Sequence, residues 1–148
     1  MSAPKITEQI TPDLFNNLTH KHFQFLEDEF GFSIQKINDW EFVAENLDSK
    51  IYIYVEHYAI FVVEIEPIGK AANQLLEKNI FPLRADIIPI CKYYCPNIQY
   101  QPAILNQKNH IHNIPIEIEQ RAKLLKTCLV KMLGGDFSDW ARVGQYLS

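Results

Sequence analysis

The sequence has little basic charge in any one place. Its 14 Lys and Arg are outnumbered by 18 Asp and Glu, a formal charge of −4, and the isoelectric point lies near 5.7. Phosphate backbones are held by clustered cations. The tightest group here, Arg121, Lys123 and Lys126, falls on one expected helix and reads as a solvated face. A nucleic-acid partner is therefore not expected. Long hydrophobic runs are missing too. No segment approaches the roughly 20 apolar residues of a membrane span, so no membrane partner is expected either. Residues 1–10 carry one Lys and no apolar stretch, and read as a loose tail rather than a signal or an anchor. Glycine is scarce, with five in the chain, all at expected turns or helix stops, which leaves no phosphate-cradling loop. Cysteine is scarce as well. Cys91, Cys95 and Cys128 are an odd number in a chain without an export signal, so reduced thiols and a cytoplasmic setting are expected.

What is present suffices for one domain. The chain has 148 residues, of which 47% are hydrophobic, and nine Phe, seven Tyr and two Trp supply the bulk of a core. No internal repeat or low-complexity tract divides it.

The hydrophobic period is helical at both ends of the chain. Thr11-Pro12 reads as an N-cap and a first helical position, with Asp13 favoured by the helix dipole in the first turn. Leu14, Phe15, Leu18, His22, Phe25, Leu26 and Phe30 recur at three- and four-residue steps, and Gly31 supplies the stop, which predicts a helix over 12–30. The period then changes to alternation. Strands are expected at 32–37, at 40–45, at 50–56 and at 60–66, joined by Asn38-Asp39, by Asn46-Leu47-Asp48-Ser49 and by His57-Tyr58-Ala59. A short helix is expected over 71–78 and another around Ile87–Tyr94, interrupted by Pro89, followed by an irregular loop over 96–115. Ile118, Ala122, Leu125, Leu129 and Met132 mark a long helix over 115–133, stopped by Gly134-Gly135. Asp136 then caps a short helix carrying Phe137, Trp140, Val143 and Leu147. The expected fold is α+β: a four-stranded antiparallel sheet packed by a long N-terminal and a long C-terminal helix. Phe15, Leu18, Phe25, Trp40, Ile53, Val63, Leu125 and Leu129 are the expected core.

Candidates for chemistry are few. Cys91, Cys95, His110 and His112 are the one set with ligand types for zinc, yet Cys-x3-Cys is a residue longer than the usual knuckle. A small metal- or thiol-dependent enzyme built on these four is the alternative reading. Otherwise no metal, cofactor or catalytic residue is expected. Cys128 lies in an apolar run, which disfavours a thiolate. His20 and His22 point to different faces of their helix and cannot share an ion. Glu64 and Glu66 share a strand face, where paired carboxylates are more often solvated charge than acid–base machinery. Gly134-Gly135-Asp136-Phe137 lacks the Glu that a diguanylate-cyclase signature requires, and its place at a helix end explains its glycines.

The third and fourth strands stand apart from the first two. Ile51, Ile53 and Val55, with Phe61, Val63 and Ile65, make one apolar face. Tyr52, Tyr54, Ile60 and Val62 make the other apolar as well, so both faces are expected to be covered, by helices or by a partner. Tyrosine suits an interface because it pairs a broad ring with a polar tip. Tyr52, Tyr54, Ile60 and Val62 are accordingly the expected protein-binding residues, with a second copy of the chain as one candidate partner.

The pattern Ile118-x3-Ala122-x2-Leu125 running into Leu133-Gly134-Gly135-Asp136-Phe137-Ser138, with Glu29-Phe30-Gly31-Phe32 before an antiparallel sheet, resembles small bacterial proteins grouped with the immunity proteins of polymorphic toxin systems. The resemblance covers the two ends of the chain. It implies a non-catalytic protein that binds and blocks a toxin, without a cofactor, and it carries over no functional residues.

Overall fold

A computed structural model of the chain describes residues 10–56, 60–97 and 114–143. In order, the elements are α1 (Pro12–Phe23), α2 (Phe25–Phe30), β1 (Ser33–Asn38), β2 (Glu41–Glu45), β3 (Ser49–Glu56), β4 (Ile60–Pro67), α3 (Gly69–Glu77), β5 (Ala85–Asp86), α4 (Ile87–Tyr94), α5 (Ile114–Cys128), α6 (Val130–Leu133) and α7 (Trp140–Val143). The fold is α+β, and the sheet is an antiparallel meander in the order β1-β2-β3-β4-β5.

The sheet has five strands where the sequence predicts four. β5 is only Ala85–Asp86, paired with Ile65 and Glu64 of β4. Two residues cannot display an alternation, so nothing in the local pattern announces them. The first four strands lie where expected, within a residue or two. Ile37 is skipped in the β1–β2 pairing and bulges outward, 52% exposed.

The long N-terminal helix is also broken. Thr11 Oγ1 accepts the Leu14 N–H at 3.1 Å and Pro12 opens α1 as expected, but the helix stops at Phe23 and restarts at Phe25. Phe23, Phe25 and Leu26 are all buried. Gln24 keeps helical dihedrals, φ −58° and ψ −29°, and its carbonyl accepts the Glu27 and Asp28 N–H groups at 3.0 and 3.1 Å, so the interruption is local. Gly31, at φ +70°, then ends α2, and the Phe32 N–H returns to the Leu26 carbonyl at 3.0 Å. The C-terminal helix is split in the same way at Leu129, between α5 and α6, while Ile118, Ala122, Leu125, Leu129 and Met132 are all buried. Pro89 does not interrupt α4. It sits in the first turn, where no intrahelical N–H is needed, and Asp86 Oδ1 caps that turn by accepting the Ile88 N–H at 2.8 Å.

Among the described residues, one face of the sheet is buried and the other is half-buried to exposed. Phe42, Ala44, Ile51, Ile53, Phe61, Val63 and Ile65 join Phe15, Phe23, Leu26, Ile90, Ile118 and Leu125 of the helices in one core. Each such side chain contributes about 1.5–3 kcal/mol when fully buried. Leu18 and Trp40 pack at its margin, with the Trp40 ring 5.6 Å from that of Phe15. Among the described residues only the inner face is covered in this way. Asn46 ties the β2–β3 turn to both helical ends. Its Oδ1 accepts the Asp48 and Ser49 N–H groups at 3.0 and 2.8 Å, and its Nδ2 donates to the carbonyls of Phe30 and Leu133 at 3.2 and 3.4 Å.

Candidate functional site

The outer face is built by strand alternation. Along β3 and β4 the side chains that do not enter the core are Lys50, Tyr52, Tyr54 and Glu56, then Ile60, Val62, Glu64 and Glu66. Pairing places them in rows. Glu41, Tyr54 and Val62 lie side by side on β2, β3 and β4, as do Val43, Tyr52 and Glu64, and Glu45, Lys50 and Glu66. Tyr52, Tyr54, Ile60 and Val62 are thus brought to one surface, each half-buried.

A polar network crosses this surface. The Tyr54 hydroxyl donates to Glu64 Oε1 at 2.8 Å and the Tyr52 hydroxyl donates to Glu66 Oε1 at 2.6 Å. Both lengths suit a hydroxyl donating to a carboxylate. Burial, and then the carboxylate that each hydroxyl meets, pushes both phenols up from 10.0 to about 12. The tyrosines therefore stay neutral donors at any ordinary pH. The two glutamates read as solvated charge in the sequence are hydrogen-bond acceptors for the two tyrosines.

Arg84 completes the network. Its Nε and Nη2 lie 2.8 and 2.7 Å from Glu64 Oε1, and its guanidinium carbon stands 3.7 Å from the centre of the Tyr52 ring and 5.5 Å from that of Tyr54. Partial burial opposes its charge, yet Glu64 and Tyr54 together more than offset this and its pKa is raised. A stacked guanidinium at a half-open site contributes about 0.5–1 kcal/mol. Sequence reading misses Arg84 because it stands in an irregular segment, one residue before a two-residue strand. Near it in the chain, Phe81 and Leu83 are 72% and 66% exposed, two large apolar side chains that no periodicity marks.

At the β1–β2 end the outer face runs into a groove of ≈ 690 Å³, floored by Ser33, Gln35, Val43 and Glu45 and walled by Asn46 and Leu133 among others. Val43 belongs to this groove and also to the row of Tyr52, so the two regions adjoin.

The thiol alternative divides. Cys91 lies within α4 and is buried, its Sγ 3.9 Å from the Leu124 carbonyl, and burial drives its pKa well above the ordinary thiol range. Cys95 is half-buried. Cys128 is buried, and burial together with the neighbouring Cys95 thiol pushes it up to about 12. Raised values disfavour the thiolate that a nucleophile or a metal ligand must be. His110 and His112 lie outside the described residues. Among the described residues, no group of three or more His, Cys, Asp or Glu side chains is arranged to hold a metal ion, and no helix is long and apolar enough to cross a membrane.

Two charges lie deeper than the sequence suggests. Arg121, read as solvated, is 5% exposed, and Glu117 one turn before it is 3% exposed. Arg121 Nη1 donates to Gln120 Oε1 at 2.7 Å, while among the described residues neither oxygen of Glu117 meets a donor. Burial pushes Glu117 up to about 7, and the positive charge of Arg121 only partly opposes this. Lys126, by contrast, is exposed, paired with Glu29 at 3.0 Å and set over the Phe25 ring.

By its fold the chain is an α+β protein whose five-stranded antiparallel meander buries one face and, among the described residues, leaves a tyrosine-bearing face half-open. No protein-family model, curated protein or solved structure matches it.

Proposed function

We propose that this chain is a non-catalytic binding protein that engages another protein through the outer face of its sheet. The observation that supports the reading most is the grouping of Tyr52, Tyr54, Ile60 and Val62, half-buried, on one surface. Aromatic and Arg side chains set in a fixed surface are what protein interfaces use as anchors. The tyrosines are held by hydrogen bonds to Glu64 and Glu66, so little side-chain freedom remains to be lost on binding. The resemblance of the two chain ends to immunity-type proteins makes a toxin the partner class to look for first, in a cytoplasmic setting.

A second copy of the chain is the less favoured partner for this face. The face carries Glu41, Glu45, Glu56, Glu64 and Glu66 against Lys50 and Arg84. Two such faces in contact would set acid against acid, and like charges brought together in an interface weaken it.

The test pairs light scattering with affinity capture. Wild type and a Tyr54→Asp variant, both shown to be folded by circular dichroism, serve as bait in native lysate. The expected result is a monomer at all concentrations and a protein retained by wild type that Tyr54→Asp does not retain. Equal retention by both would remove the outer face from the account. A dimer abolished by Tyr54→Asp would replace the foreign partner with a second copy.

A further inference from the structure

We infer that the outer face recognises arginine side chains of a basic protein segment, stacking them on Tyr54 beside the Arg84–Tyr52 pair and pairing them with the surrounding glutamates. This deepens the binding role proposed above and rests on it.

The chain already holds one guanidinium in this manner. Arg84 lies on the Tyr52 ring at 3.7 Å while two of its nitrogens meet Glu64 Oε1, so ring, carboxylate and planar cation fit together here. The attraction of a cation to a ring face and the fork of guanidinium donors toward a carboxylate act at once only for arginine. Tyr52 is taken by Arg84 and by Lys50, 5.3 Å from its ring centre, which leaves Tyr54 as the ring for a further arginine. Tyr54 stands 5.5 Å from Arg84, at the outer limit of stacking, and Glu41 lies beside it across β2. Glu66 accepts the Tyr52 hydroxyl at Oε1 and sits in one row with Lys50 and Glu45. The excess of acid over base on the face selects the partner's sign. An acidic segment, a phosphate backbone or a second copy of this face would each bring negative charge toward five glutamates.

Isotope-labelled full-length protein, titrated with a nonapeptide of alternating arginine and glycine and with its lysine analogue, tests the inference. The expected result is that the arginine peptide shifts the amide resonances of β3 and β4, including Tyr52, Tyr54 and Glu64, and binds tighter than the lysine peptide by about threefold to fivefold, the scale of an exposed cation–π contact. Glu41→Gln with Glu66→Gln, confirmed as folded by the same spectra, is expected to weaken both peptides, and Tyr54→Leu to erase the preference between them. Equal affinity for the two peptides overturns the inference, as does no binding at all, or shifts centred on the exposed run Glu27-Asp28-Glu29. If that happens while Tyr54→Asp still abolishes partner capture, the binding role stands and only the arginine chemistry is lost.

Discussion

Tyr54 and Glu64 sit on neighbouring strands, and the phenol of the first donates to the carboxylate of the second at 2.8 Å. The same Glu64 oxygen receives Arg84, so one carboxylate holds both the ring and the cation beside it. The polar ends of the tyrosines are thereby satisfied within the face itself. Its tyrosines stay neutral and oriented, as an interface residue should be.

That pairing has a spectroscopic consequence. A phenol whose folded-state pKa lies above 10.0 holds its proton longer in the folded chain than in the unfolded one, so its contribution to stability is present below about 10 and is lost as pH rises toward 12. Ultraviolet titration of tyrosinate is expected to show Tyr52 and Tyr54 ionising late, near 12, in wild type, with Tyr94, buried and donating to Asp139, later still. Tyr52→Phe and Tyr54→Phe should each remove one of them. A titration in which every phenol ionises near 10 would mean that the hydroxyls of Tyr52 and Tyr54 are not held by Glu66 and Glu64.

Glu117 gives the opposite half of the pH range its own test. Below about 4.5 the carboxyl is protonated in both states. From there to about 7 the unfolded chain ionises first, so stability falls as pH rises, and above about 7 the loss is constant. The total is roughly 2–4 kcal/mol. Glu117→Gln cannot ionise, and is expected to match wild type in acid and to exceed it in melting temperature at about pH 8. A variant that is less stable than wild type at that pH would show that the Glu117 carboxylate has a partner that stabilises its charge.

Asn46 is expected to matter more than its exposed-turn sequence suggests. Its side chain makes four hydrogen bonds, to the backbone of its own turn and to the last carbonyls of α2 and α6. Asn46→Ala removes them together, and a loss of about 1–3 kcal/mol in denaturant unfolding is expected. Asn46→Asp keeps the two acceptor bonds and loses the two donor bonds, so it should fall between. An Asn46→Ala variant as stable as wild type would show that water replaces the clamp at no cost.

Much of this architecture was legible in the sequence, and the parts that were not have physical causes. Alternation over four to eight residues marked the first four strands and correctly divided Ile51, Ile53, Phe61, Val63 and Ile65 from Tyr52, Tyr54, Ile60 and Val62. A two-residue strand has no period to read, so β5 was missed, and Arg84 with it. The interruptions at Gln24 and Leu129 carry no glycine or proline to mark them, so periodicity reads through both. Arg121 was misread because a charge is taken to be solvated until its neighbours are known. The hydrogen bonds of Glu64 and Glu66 to tyrosines depend on cross-strand register, which side-chain type alone does not reveal.

The most direct measurement is covalent footprinting of tyrosine side chains in the purified complex with the captured partner. The account predicts that Tyr52 and Tyr54 lose reactivity on binding while Tyr93, on α4, keeps its own. Protection that leaves Tyr52 and Tyr54 as reactive as in the free chain would contradict it, because the partner would then bind elsewhere than on the outer face of the sheet.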